Sequence, residues 1–300
     1  MKNLTLLVLT STILFACKTP PERILIKLNK GQKYEQRIVL KSTITQTVSG
    51  RKMSTSTTSQ GLNRYEVLAV DDSVYTFQVT YQSMKVHIEV DGGPTTQLKT
   101  PTTAVLEKLK GQSYQVKVTN TGRIVAVIGA DSLFSKVTAS IAGLTEEMRA
   151  KLSQNFIKAY GDSAIKSGNL QYANIYPQKI VKGGDTWRIQ RAGGGDILSP
   201  AIDAIYKMDK ITSHEYLVSM KSKLRLGSDV SSSPLFGLNM SGIMDSKNKI
   251  DKETGLITES KIKQDMIGSA TILAGTPAMI GDSILMQIKG ETTLINTLIK

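Results

Sequence analysis

The chain has 300 residues, with 38 Lys and Arg against 25 Asp and Glu, a formal net charge of +13. Its 40% apolar content is enough to build a core for one large β domain or two small ones. Aromatics are only 5%, with one Trp, and basic residues do not interleave with aromatics, which excludes nucleic acid as a partner.

At the N-terminus, Met1-Lys2 forms a small positive region ahead of the apolar stretch Leu4 to Phe15. A dozen residues fits the apolar region of a signal peptide and falls short of the roughly 20 that span a bilayer. The stretch ends Leu14-Phe15-Ala16-Cys17, with a small residue before the cysteine and an aliphatic one three before it. This resembles the processing and lipid-attachment site of bacterial lipoproteins. The expectation is a signal peptide over 1–16, lipid attachment (palmitate among the acyl groups) at Cys17, and a lipidated tether over 17–23. Lys18, rather than Asp, after the cysteine favours the outer membrane. Cys17 is the only cysteine, so disulfides and thiol catalysis are both excluded.

From residue 24 the pattern is one of strands. Tyr34, Ile38, Leu40, Ile44 and Val48 share one parity, and Tyr75, Phe77, Val79 and Tyr81 share another. The apolar parity then shifts to Met84, Val86, Ile88 and Val90, which predicts a β-bulge. Asp71-Asp72 reads as a hairpin turn, and the Ser54 to Ser59 run as an exposed or edge strand guarded by Arg51 and Lys52. Thr100-Pro101 opens a short helix that Gly111 ends. A helical segment over 131–176 follows, with Asp131 as a cap and Met148, Leu152, Phe156 and Tyr160 as one narrow apolar stripe, either capping the core or forming a lid. Strand patterning resumes over 177–300.

Two motifs repeat. Lys30-Gly31-Gln32-Lys33-Tyr34 recurs as Lys110-Gly111-Gln112-Ser113-Tyr114, and Gly184-Asp185-Thr186-Trp187 has the same shape. Asn120-Thr121-Gly122-Arg123-Ile124 resembles Glu253-Thr254-Gly255-Leu256-Ile257. Their common order predicts a duplicated β unit, with halves at 24–130 and 177–300 completing one integrated domain. The predicted fold is mainly β with a minor α segment: a long antiparallel twisted sheet that forms a half or closed barrel, with the helical segment packed on it.

Catalytic signals are sparse. His87 and His214 have no carboxylate or cysteine partners at metal-ligand spacing, and there is no Gly-x-Ser-x-Gly elbow. Gly193-Gly194-Gly195-Asp196 lacks the Gly-Lys-Ser/Thr ending of a phosphate loop and reads as a flexible connection. No catalytic residue, metal site or cofactor is expected. The apolar face offers Tyr75, Phe77, Tyr81, Tyr206, Tyr216, Val218 and Met220 as candidates to line a ligand cavity, or as plain core.

With the lipobox, Pro177 followed by Val181, the Gly-Asp-Thr-Trp motif and the Thr-Gly hairpins, the chain resembles an uncharacterised family of envelope lipoproteins best represented in Bacteroidetes-type bacteria. That resemblance implies no activity and no catalytic residues. The general shape also resembles the curled-sheet lipoprotein carriers of the periplasm, a likeness of fold alone. The expectation is a non-enzymatic lipoprotein of the cell envelope, anchored to the outer membrane through Cys17, that binds an apolar or amphiphilic ligand within the curled sheet. The alternatives are a scaffold that meets an envelope protein partner, and a hydrolase with a carboxylate site. An apolar cavity separates the first two readings.

Overall fold

The structure is a computed structural model that describes residues 21–48, 50–91, 100–167, 175–193, 200–227, 236–273 and 281–299. Cys17 and the residues before it lie outside them, as do Gly194, Gly195 and Asp196. The first part of the chain forms β1 (Lys33–Val48), β2 (Arg51–Asp71), β3 (Val74–Val90), α1 (Pro101–Lys108), β4 (Ser113–Thr119) and β5 (Ile124–Ile128). Three helices follow: α2 (Ala130–Ala139), α3 (Glu146–Tyr160) and α4 (Asp162–Lys166). The second part is β6 (Thr186–Arg191), β7 (Ala201–Ile211), β8 (Glu215–Gly227), β9 (Phe236–Asp251), β10 (Ile257–Ile272) and β11 (Ser283–Ile299).

All of these strands join one antiparallel sheet in the order β5-β4-β3-β2-β1-β11-β10-β9-β8-β7-β6. Two meanders, β1 to β5 and β6 to β11, are welded where the first strand pairs with the last, from Lys33↔Ile299 to Thr47↔Leu285. The sheet is not closed, and β5 and β6 are its edges. It curls strongly: residues from β1 to β5 and from β10 and β11 line one small pocket. Glycine permits part of the curl. A side chain at Gly242 would overlap the Asp265 carbonyl, and one at Gly268 the Asn239 carbonyl, so the paired strands β9 and β10 can approach this closely only because these two positions carry no Cβ.

The repeated glycine motif is one turn built several times. At Gly31, Gly111 and Gly184 the backbone takes φ of +85°, +81° and +89°. Each glycine N–H donates to a neighbouring-strand carbonyl (Val67, Tyr81 and Met208, at 2.8, 2.7 and 2.7 Å). The same neighbour's N–H returns a bond to the residue after the glycine (Gln32, Gln112 and Asp185). A fourth copy at Gly281 follows the rule with Ile272 and Asp282. Both meanders also place their Thr-Gly hairpin between the fourth and fifth strands, Gly122 before β5 and Gly255 before β10.

Other local expectations meet their residues. The bulge falls at Gln82, which is skipped between the pairs Leu62↔Ser83 and Asn63↔Tyr81. Thr100 caps α1 through a reciprocal box with Thr103. Two readings need correction. The Ser54 to Ser59 run is no edge: it pairs with β1 throughout and with β3 from Thr55 onward, and Thr43 and Thr45 face Ser56 and Ser54 at 3.2 and 3.1 Å. Asp131 does not cap its own helix, whose N-cap is Gly129. Its Oδ1 accepts the Asp162 N–H (2.8 Å), while Asp162 Oδ1 accepts the Ala130 N–H (2.8 Å), so α2 and α4 cap one another. The helices cover the first meander, α1 against β3, α2 against β4 and α4 against β5.

Candidate ligand-binding groove

The sheet's inner face carries two adjoining spaces. A deep pocket of about 120 Å³ sits among Tyr34, Tyr65, Phe77, Tyr114, Tyr176 and Leu294. A wider groove of about 620 Å³ runs outward between β1, β2 and β3 on one side and α1 and α3 on the other. Gln36, Ile38, Tyr65, Tyr114 and Ile165 belong to both walls. The larger volume is in the range of small-molecule sites. Its lid is α3, which contributes Leu152, Asn155, Phe156, Ala159 and Tyr160. The expected apolar stripe of this helix is only partly covered: Phe156 is buried against Phe134 with ring centroids 5.6 Å apart, whereas Met148 and Tyr160 stay about half exposed. Gly61 on β2 lines the groove, and a Cβ there would meet open space.

The deep end is a tyrosine cluster. Tyr34 stacks on Tyr65 at 4.6 Å, both meet Phe77 edge-on, and Tyr81 lies 5.8 Å from Tyr114. Burial pushes the hydroxyls of Tyr34, Tyr65, Tyr114 and Tyr176 well above their ordinary value, and that of Tyr81 to about 12. They are neutral across the physiological range. The Tyr65 hydroxyl donates to Gln36 Oε1 (3.3 Å), and that of Tyr176 to the Gly255 carbonyl (2.8 Å).

An extended segment from Glu22 to Leu28 straps this end shut. Ile24, Ile26 and Leu28 are buried. Ile26 N–H donates to Asn120 O (2.8 Å) and Lys27 N–H to Thr254 O (2.7 Å), so the strap runs between the two Thr-Gly hairpins. Tyr75 donates its hydroxyl to Ile26 O at 2.9 Å. At the strap's start Glu22 pairs with Val181 through two backbone bonds of 2.8 and 2.9 Å. The Glu22 carboxylate accepts bonds from Tyr216 Oη and Lys252 Nζ, both at 2.7 Å. Burial works to raise the Glu22 carboxyl, but the Lys252 and Tyr216 hydrogen bonds outweigh it and hold the group below its ordinary value.

The sequence-predicted lining residues divide. Phe77 faces the deep pocket and Tyr81 the groove. Tyr75 holds the strap, and Tyr216 holds its carboxylate. Tyr206 stacks on Trp187 at 5.6 Å, and Val218 and Met220 are buried in the core of the second meander. What the sequence reading missed is the inward polar set of Gln36, Asn63 and Asn296. Its one signal was a polar residue interrupting an apolar parity, as Gln36 does between Tyr34 and Ile38.

His87 is an outer-face residue 3.0 Å from Glu89, and His214 lies in the turn before β8. Among the described residues no group of three His, Cys, Asp or Glu is placed to hold a metal ion. Neither the pocket nor the groove has a carboxylate among its described lining residues. Asp245, Asp265 and Glu291 share a third depression on the outer face, interleaved with Lys41, Lys263 and Lys289. No helix among the described residues is long and apolar enough to cross a membrane.

Fold and groove define a β-rich protein whose open, curled sheet encloses an apolar trough. By sequence the chain belongs to a family of unknown function, DUF6263, whose model matches residues 72–257. No curated protein matches it. Among solved structures it is similar to lipovitellin, studied for lipid–protein interactions, at 10% identity and a TM-score of 0.48, covering 90% of this chain and 25% of that one. It is also similar to an outer membrane channel from Pseudomonas putida F1, at 8% identity and a TM-score of 0.20 over 91% and 98% of the two chains. A third similarity is to OmpF of Salmonella typhi in complex with daunomycin, at 7% identity and a TM-score of 0.26 over 90% and 100%.

Proposed function

We propose that this protein is a non-enzymatic lipoprotein of the cell envelope, anchored to the outer membrane through Cys17, that holds an apolar or amphiphilic ligand in the groove beneath α3. The observation that carries the ligand reading is the groove itself. It is a mostly apolar space of about 620 Å³ that shares a wall with a deeper pocket, and it is roofed by a helix whose apolar stripe the protein leaves half uncovered. A sheet packed solid by its own side chains would have favoured the scaffold reading instead. The anchor reading rests on the lipobox. Glu22, a few residues after Cys17 in sequence, is pinned to Val181, Tyr216 and Lys252, which would hold the protein close to an anchor at Cys17.

Two experiments test the two parts. Cys17→Ser should release the protein from membranes and abolish labelling by radioactive palmitate; unchanged membrane association would refute the anchor. The released protein, purified without detergent, should bind a fluorescent fatty acid or carry extractable lipid. Absence of both would refute ligand carriage.

A further inference from the structure

Gln36 on β1 is the direct register partner of both Asn63 on β2 and Asn296 on β11. The three amides therefore stand in one row across adjacent strands, about 5 Å from strand to strand. All three face inward: Asn296 lines the deep pocket, Asn63 lines the groove, and Gln36 lines both. The row lies where the two spaces adjoin, and it is the polar set that reaches the deep pocket, whose other lining is mostly aliphatic and aromatic; the groove's further polar residues, Ser59, Gln60, Lys85, Thr102 and Asn155, line the groove alone.

Its hydrogen bonding is incomplete. Asn296 donates its Nδ2 to the Ile257 carbonyl at 2.7 Å, which fixes the orientation of the amide. Its Oδ1 is buried without a partner among the described residues, and so is that of Asn63. Gln36 accepts the Tyr65 hydroxyl on Oε1, so its Nε2 hydrogens remain as donors. The second meander shows the contrast. Asn248 is also buried on the inner face, but its Nδ2 donates to Val218 O and Ser246 Oγ while its Oδ1 accepts from Ser260 Oγ. One buried amide is fully satisfied, and the groove's row is left with two acceptors and one donor to offer. Buried polar groups left unpaired are costly enough that a partner is expected at such a site.

Resting on the ligand-binding reading above, we propose that this amide row is the polar subsite of the groove, and that it selects lipids with an uncharged, hydroxyl-bearing head, such as monoacylglycerols. A hydroxyl both donates and accepts, matching the Asn63 and Asn296 oxygens and the Gln36 amide. A carboxylate or phosphate is disfavoured: no described residue lining the deep pocket carries a charge, so a buried anion would lack compensation. Lys85 contributes to the groove wall, but it lies between the inward Met84 and Val86 and is exposed on the opposite side of β3.

The test is competition against N-phenyl-1-naphthylamine fluorescence, using the full chain carrying Cys17→Ser. The competitors are monolauroylglycerol, laurate and dodecane, which share one chain length. Monolauroylglycerol should compete about tenfold better than the other two, as one well-made buried hydrogen bond provides. Asn63→Leu and Asn296→Leu should each reduce that advantage while the naphthylamine still binds. Equal competition by all three, or an undiminished preference in the variants, would overturn the proposal and leave the groove reading standing. Failure of the naphthylamine to bind the unsubstituted groove would overturn both. The ranking on the unsubstituted groove does not depend on whether either leucine variant folds.

Discussion

Single residues carry the strain and the locks. Gly255 takes φ +69°, and any side chain there would overlap the Leu25 carbonyl of the strap. Gly31 takes a similar φ of +85°, but a Cβ would meet open space. Gly255→Ala should therefore cost about 3 kcal/mol and Gly31→Ala about 1 kcal/mol, as read from urea midpoints. Equal losses would show that the strap does not press on the hairpin. Glu22 makes a second prediction, through pH. Its folded-state carboxyl is held below the ordinary value of 4.5. Its stabilisation is thus present above that value and disappears as pH falls through the lowered one. Glu22→Gln should destabilise the protein by about 1–2 kcal/mol at neutral pH and by almost nothing in acid, in parallel urea titrations. A loss that persists in acid would mean that the ion pair is not what holds the strap.

Elements were legible in the sequence where the chain's own neighbours decide them. The parity shift between Tyr81 and Met84 announced the bulge, which falls at Gln82, because period-two alternation reports which face a residue meets. The Gly31, Gly111 and Gly184 turns were legible because each glycine is followed by two polar residues and then an aromatic. The Gly281 copy was missed because Ile284 stands where the others place an aromatic ring. Contacts distant in sequence were not legible. Asp131 reads as a local cap, yet its partner is the Asp162 N–H at the head of α4. Asp131→Ala and Asp162→Ala should each cost about 1 kcal/mol in thermal or urea denaturation. The double variant should cost less than the sum, because the two caps tie the same pair of helices. Strict additivity would mean that the caps act independently.

At the scale of the whole molecule, the decisive event is the pairing of β1 with β11, which joins the two meanders into one sheet. Nothing local announces it, so the row of Gln36, Asn63 and Asn296 could not be assembled from the sequence: its members lie on β1, β2 and β11. The tyrosine cluster behind that row is a property of the assembled sheet as well. Free tyrosine ionises near 10, whereas Tyr81 is pushed up to about 12 and Tyr34, Tyr65, Tyr114 and Tyr176 are raised by burial. Stability from these neutral side chains is full below pH 10 and declines as pH rises beyond it. In a spectrophotometric titration they should ionise only together with loss of the fold. Ionisation in a folded protein near pH 10 would show that the deep pocket is open to water.

Ligand carriage requires that the groove be a space that a ligand fills. The most direct measurement is native mass spectrometry of the Cys17→Ser protein, purified without detergent and compared with the same protein carrying Gly61→Phe. Gly61 lines the groove, its backbone accepts any side chain, and its Cβ direction is open, so Phe should fill the space without disturbing the core. The prediction is a lipid-mass adduct on the parent, absent or much reduced in the Phe variant, with unchanged thermal stability. A parent with no adduct even after incubation with monoacylglycerol, or an adduct of equal occupancy in the variant, would contradict it.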